Sequence, residues 1–194
     1  MISLVVFLGN YGKKFAGNRH NAGWLFADSL DMFVGTVWQK KFKGEYCTLA
    51  IRGETEENRQ VFFLKPETYM NLSGTSIREL AVFYKIKPEE MLVVHDELEL
   101  PPGTVSLKWS GGLGGHNGLR SAKEELGTAD FWRLRIGIGR PGNPDVAGYV
   151  LSDFSDDERI LLSQIFPPLG ELMENILARG PESFLKEWSK KKLV

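Results

Sequence analysis

The chain is poor in the residues that usually advertise a site: it has one cysteine, Cys47, and three histidines among 194 residues. One cysteine forms no internal disulfide, and beside three scattered histidines it does not match the spacing of a zinc site. A reducing compartment and no structural metal are therefore expected. Charge imbalance is also missing, with 24 basic against 25 acidic side chains and a formal net charge of −1. Bulk charge then draws no polyanion, and a nucleic-acid partner has to be held by local basic clusters. No apolar run is long enough to span a bilayer. The first one, 4–8, lacks a basic flank and runs into Gly9, which reads as a buried strand and not a signal segment. The G-x-S-x-G pattern of a serine nucleophile is absent too.

What is present fits one domain. A hydrophobic content of 42% over this length can bury one good core. After the first strand, Gly9 and Gly12 enclose Asn10 and Tyr11 in a tight loop, and Asn21 is placed to cap a helix carrying Trp24, Leu25, Ala27, Asp28 and Leu30. Segments 46–51 and 61–64 read as a hairpin around a polar turn at 54–59, with Pro66 ending its second strand. Ile77, Leu80, Ala81 and Tyr84 recur at helical spacing and stop before Pro88. A β-branched run at 91–94 delivers His95 and Asp96, and a further strand passes through Val105 and Leu107. A helix over 119–126 and a strand over 134–138 follow. From Ser155 onward the chain reads as mainly helical, with a break at Pro167-Pro168 and a lysine run at 190–192. Strands alternating with helices, plus one hairpin, imply an α/β fold: a single domain with a mixed, twisted central β-sheet flanked by helices on both faces.

The polar residues fall where such sheets bind ligands. Asn10, Asp96 and the glycine-rich stretch 111–118, which leaves His116 and Asn117 on nearly bare backbone, all follow expected strands. Each histidine directly precedes Asn or Asp, as His20-Asn21, His95-Asp96 and His116-Asn117. An imidazole with a carboxylate partner can act as a general base on water. Asn71 and Asn117 are carboxamides able to donate to a developing oxyanion. With no serine elbow, direct attack by water fits better than an acyl-enzyme. Other signals are weaker. Residues 137–142 spell G-x-G-x-x-G, yet Pro141 and Pro144 spoil the helix start that a pyrophosphate requires. Lys13, Lys14 and Arg19, the set Lys40, Lys41 and Lys43, and the pair Lys108 and Arg135 suit phosphate contacts, although a charge cluster ordinarily marks a solvated face. Phe62, Phe63 and Trp132 read as core.

Five motifs appear in order: Gly9-Asn10; Arg19-His20-Asn21-Ala22-Gly23; Lys65-Pro66-Glu67-Thr68-Tyr69-Met70-Asn71-Leu72-Ser73-Gly74; His95-Asp96-Glu97-Leu98; and Gly114-Gly115-His116-Asn117-Gly118-Leu119. By these the chain resembles the bacterial peptidyl-tRNA hydrolase family over nearly its whole length. The resemblance implies hydrolysis of the ester joining a nascent peptide to the 3′ end of tRNA, by a cytoplasmic monomer needing no cofactor, no metal and no membrane. It makes His20 the base and Asp96 the carboxylate that orients and charges it, which moves the emphasis away from His116. It further implies that Asn10, Asn71 and Asn117 hold the terminal adenosine and peptide backbone, with Asn117 also near the oxyanion. Phe15, Met70 and His116 become substrate-binding, Lys108 and Arg135 a clamp for the tRNA 5′ phosphate, and 140–155 a mobile lid. Departures from the family pattern are local: Phe7, Tyr11, Phe15 and Leu113 stand where glycine, proline, tyrosine and serine are usual. Two other readings share the fold or the cleft. One is a non-catalytic RNA-binding relative like a chloroplast splicing factor, and the other a small-molecule esterase, which has no need of Lys108 and Arg135.

Overall fold

The computed structural model describes residues 1–53 and 58–194. Its strands and helices, in chain order, are β1 (Leu4–Phe7), α1 (Ala22–Asp28), β2 (Gln39–Lys41), β3 (Gly44–Arg52), β4 (Asn58–Pro66), α2 (Ser73–Tyr84), β5 (Met91–Glu97), β6 (Thr104–Trp109), α3 (Asn117–Leu126), β7 (Trp132–Gly137), α4 (Val146–Val150), α5 (Asp156–Arg179), α6 (Leu185–Trp188) and β8 (Lys191–Lys192). The strands form one sheet in the order β2-β3-β4-β1-β5-β7-β6-β8. Its centre, β4-β1-β5-β7, is parallel, and both margins are antiparallel. The expected mixed sheet is thus observed. Part of the turn expected at 54–59 lies outside the described residues.

The apolar run 4–8 is continuous because both of its faces are covered. Val5 and Phe7 enter a core with Phe26 of α1 and Leu169, Leu172 and Ile176 of α5. Leu4, Val6 and Leu8 enter another with Ile77 and Leu80 of α2 and Leu119 of α3. Burying each such side chain contributes about 1.5–3 kcal/mol, so strand β1 is fixed from both sides. Because the four central strands run parallel, the segments after β1, β4, β5 and β7 leave from one edge, and the site is built there.

Two glycines permit the close approaches that this edge needs. A methyl group on Gly23 would sit 2.7 Å from the Leu8 carbonyl oxygen and 2.8 Å from that of Val94. The first turn of α1 therefore lies directly on the ends of β1 and β5. A Cβ on Gly74 would meet the Ser121 carbonyl at 2.1 Å, which lets α2 and α3 touch. Gly23→Ala is expected to cost about 1–3 kcal/mol by overpacking, read as a lower denaturant midpoint. A midpoint equal to that of the parent would mean that α1 can shift freely on the sheet.

Four expectations are corrected. Helix α5 passes through Pro167 and Pro168 without a break. The missing N–H bonds cost about 3 kcal/mol each, but a buried stripe including Leu162, Ile165, Phe166, Leu169 and Met173 holds the helix on the sheet. Helix α1 ends at Asp28, so Leu30 lies beyond it. Asn21 precedes α1 but makes no side-chain cap; its amide is used elsewhere. The lysine run ends not in helix but in β8, paired antiparallel with β6. The edge strand β2 had no periodic signal at three residues. Its neighbourhood is a solvated face as expected of a charge cluster: Lys40 pairs with Glu67 at 3.0 Å and Lys43 with Glu79 at 2.8 Å. The G-x-G-x-x-G segment leads into turns, with helix α4 starting only at Val146.

Candidate active site

Three side chains from three separated segments meet at the sheet edge. His20 lies on a single 3₁₀ turn, Arg19–Asn21, between the loop after β1 and helix α1. Asp96 is the penultimate residue of β5, and His116 precedes α3. The Nδ1 atom of His20 lies 2.9 Å from both carboxylate oxygens of Asp96, and His116 Nε2 lies 2.9 Å from Oδ1. Asp96 is 2% exposed and His20 6%.

The hydrogen bonds fix the tautomers. His116 Nδ1 accepts from the backbone N–H groups of Gly118, at 3.1 Å, and Leu119, at 3.4 Å. A nitrogen that accepts carries no proton, so the ring proton is on Nε2 and is donated to Asp96. His20 likewise gives its Nδ1 proton to the carboxylate, which leaves Nε2 as a free basic nitrogen. His116 is thus a helix cap and a support for Asp96. The nitrogens of His20 and His116 and the Asp96 carboxylate lie within 4.8 Å of one another. That spacing also suits a metal, but both nitrogens facing the carboxylate are hydrogen-bond donors, so the arrangement is that of a hydrogen-bonded triad.

Electrostatics follow from this geometry. Burial opposes a charge on His20, but the adjacent Asp96 charge and hydrogen bond outweigh it and raise the imidazole above its ordinary value. Burial likewise opposes the Asp96 charge, yet the two imidazoles hold its carboxyl far below the usual carboxylate range. His95 is different. Complete burial, with His116 adding to it, keeps its ring well below the ordinary value, and Nδ1 donates to the Asp96 carbonyl at 2.6 Å. It is a packing histidine behind the site.

Beside His20 lie two adjoining cavities of about 240 and 490 Å³. The smaller is lined by His20, Asp96, His116 and Asn117, and the larger by Asn10, His20, Met70, Asn71 and Asn117. Val150 and Ala147 of α4 border both. Six sequence-expected residues are therefore gathered around one imidazole. Phe15 is not among the lining residues. It is half-buried on a neighbouring 3₁₀ turn, with the Lys14 ammonium 4.8 Å from its ring centre. A larger cavity of about 640 Å³, walled by Leu25, Phe154, Leu162 and Phe166, contains no histidine.

Asn10 is held rigidly. Its backbone N–H donates to Asn21 Oδ1 at 2.8 Å, its carbonyl accepts from Asn21 Nδ2 at 3.1 Å, and its side-chain Oδ1 accepts from the Met70 N–H at 2.7 Å. With Oδ1 so engaged, the Nδ2 group of Asn10, a residue that lines the larger cavity, is left as a donor. Sequence reasoning missed Asn21, because an asparagine before a helix looks the same whether it caps that helix or brackets a distant loop.

Lys108 and Arg135 lie outside the cavities, on β6 and β7. Ser106 faces Arg135 and Lys108 faces Arg133 across the antiparallel ladder, so all four share one side of the sheet. Burial and the neighbouring Arg135 and Arg133 charges lower the Lys108 ammonium, against the pull of Glu97. Glu97 accepts from Arg135 Nε at 2.8 Å. Arg133, which the sequence reading gave no role, is 1% exposed and donates to the carbonyls of Gly112 at 2.6 Å and Gly111 at 2.9 Å. It anchors the loop that leads to His116. Cys47 has no part here: it is buried in β3, which pushes its thiol up to about 12 against the pull of Lys65.

Comparison with known proteins identifies the family. The family model described as peptidyl-tRNA hydrolase matches residues 4–194. A peptidyl-tRNA hydrolase of Treponema pallidum is 46% identical over all of this chain and 97% of its own length, and one of Geotalea uraniireducens is 42% identical over 100% and 99%. A crystal structure of peptidyl-tRNA hydrolase from Acinetobacter baumannii superposes with a TM-score of 0.84 at 37% identity, covering 97% of this chain and 92% of that one. With the family model spanning the chain from β1 to its last residue, and the same fold in a relative solved by crystallography, the chain belongs to the peptidyl-tRNA hydrolase family.

Proposed function

We propose that this chain hydrolyses the ester between a nascent peptide, or an N-blocked amino acid, and the 3′ end of tRNA, with His20 as the base that activates water. The observation that carries the reading is the buried Asp96–His20 pair at 2.9 Å, whose remaining imidazole nitrogen is free beside a carboxamide-lined cavity. Water attacks the ester carbonyl carbon while His20 Nε2 takes its proton. Asn117 and Asn71 stabilise the oxyanion, a role worth roughly 3 kcal/mol per donor. The intermediate collapses by breaking the bond to the ribose oxygen, which receives the proton from Nε2, so free tRNA and peptide leave. Asn10 holds the terminal adenosine or peptide backbone through its Nδ2 donor, with Met70, His116 and Phe15 completing the substrate contacts.

Lys108 and Arg135 take the tRNA 5′ phosphate in this reading, supported by their shared face beside the buried Arg133. The same reading has the chain acting as a cytoplasmic monomer without a cofactor, with 140–155 as a lid. Among the described residues no helix is long and apolar enough to cross a membrane. A purely RNA-binding relative is disfavoured, because a binding module has no use for a buried base and its carboxylate.

The test is release of tRNA from a purified N-blocked aminoacyl-tRNA, compared with the Lys108→Ala/Arg135→Ala variant. The parent is expected to turn over. The double variant is expected to show a raised KM and a log–log salt dependence shallower by about 1–2, with kcat and small-ester cleavage retained. A tRNA KM indifferent to both substitutions would remove the phosphate clamp. Binding without turnover by the parent would make the chain a binding protein.

A further inference from the structure

The turn that carries His20 is clasped to the segment that roofs the cleft. Arg19 N–H donates to the Ser152 carbonyl at 3.0 Å, and Phe154 N–H to that of Gly17 at 3.0 Å. Asn18 and Asp153 form an antiparallel bridge, and Asn18 Nδ2 also donates to the Leu151 carbonyl. The Arg19 side chain reaches further. Its Nε and Nη2 form a fork with Glu158 at 3.1 and 2.6 Å, Nη1 donates to Ser152 Oγ at 2.6 Å, and the guanidinium lies 4.3 Å from the Tyr149 ring centre. Tyr149 in turn donates to the Ile138 carbonyl at 2.6 Å, tying α4 to the end of β7.

We propose that Arg19 is a positioning residue that seats helix α4 and the His20 turn against each other, so that the base holds its working geometry only with the roof in place. This rests on the reading of His20 as the base. All three guanidinium nitrogens are engaged, and the Arg19 and Glu158 side chains are only 11% and 16% exposed. A shielded fork of this kind is stronger and more directional than a surface ion pair. Its partners sit on 149–158, while its own backbone is one peptide bond from His20. Movement of 149–154 is therefore transmitted to the imidazole. The opposite root of the roof is fastened differently: Gly139 has φ +72°, Pro141, Gly142 and Pro144 follow, and the Arg140 ion pair with Glu99 is exposed. Hinging falls at 139–145, and the Arg19 end stays fixed.

The test pairs hydrogen exchange with kinetics in the parent, Arg19→Ala, Arg19→Lys and Glu158→Gln. The glutamine keeps an acceptor for the Ser155 N–H, which Glu158 Oε2 receives at 2.7 Å, and serves if the Arg19 variants fold poorly. Amides of 18–21 and 149–154 are expected to lose protection together while β1 and β5 keep theirs. kcat is expected to fall by up to about 10²-fold, the scale of a 1 Å misplacement, with KM changed less. Lysine cannot restore the fork and the ring contact at once, so Arg19→Lys is expected to remain slow, and Arg19→Ala/Glu158→Gln to be no slower than Arg19→Ala. Loosening of 149–154 with parental kcat would overturn the proposal, as would slow turnover with unchanged exchange in both segments. A His20→Ala control separates the two readings: parental turnover there removes the base assignment whatever the exchange data give.

Discussion

Replacing His20 with alanine is expected to lower kcat for N-blocked aminoacyl-tRNA by about 10²- to 10⁴-fold, the usual contribution of a positioned general base, with tRNA affinity near that of the parent. The size follows from the lack of a substitute. His116 Nδ1 is committed to the N–H groups of Gly118 and Leu119, and its Nε2 to Asp96. His95 is fully buried and donates to a backbone carbonyl. The single cysteine is buried in β3 and not ionised near neutrality. No other imidazole or thiol among the described residues can take the proton. Affinity is expected to survive because the proposed function assigns the adenosine, peptide and phosphate contacts to Asn10, Asn71, Asn117, Lys108 and Arg135. Single-turnover release at saturating enzyme, with filter binding alongside, measures both. A loss smaller than tenfold would mean that the asparagines and the field of the site carry catalysis without a base.

How much of this was legible beforehand depended on whether a residue's partner was near in sequence or far. The run 4–8 announced a strand covered on both faces because an apolar stretch without alternation has few other uses. Asp96 at a strand end, and Asn10 after another, followed from the rule that parallel sheets bind at their carboxyl edge. The glycine stretch points to His116 and not to His20, since bare backbone around an imidazole looks like a site; the family motifs move the emphasis to His20, and the bonds from Gly118 and Leu119 show that His116 caps a helix. Asn21 and Arg19 act on residues 10 and 149–158, and no local pattern encodes such distant partners. Pro167 and Pro168 misled for the same reason. A local cost was visible, and the packing of α5 that offsets it was not. Strands β2 and β8 are too short for a period to register.

Asp96→Asn is expected to be the second large effect, and its pH dependence separates it from the first. In the parent, burial lowers the His20 value while the Asp96 charge and hydrogen bond raise it, with a net rise above the ordinary imidazole value. The active form is the neutral imidazole, so the acid limb of kcat is expected above that value: activity falls as the pH drops through the raised His20 value. An asparagine can still accept from His20 Nδ1, but it carries no charge, and burial is left as the dominant influence. The acid limb is then expected to move to lower pH, below the ordinary imidazole value. The plateau should fall as well, because a less basic Nε2 is a weaker proton acceptor and an imidazolium formed in the transition state lacks its counter-charge; about 10²- to 10⁴-fold is the expected range. KM should change little, since Asp96 is 2% exposed and reaches substrate only through His20. The measurement is kcat against pH from roughly 5 to 9, the range that imidazole titration spans. A limb that stays in place with a lower plateau would leave Asp96 as an orienting group alone. A limb that moves upward would mean that a different group is being titrated, and His20 would lose its role as the base.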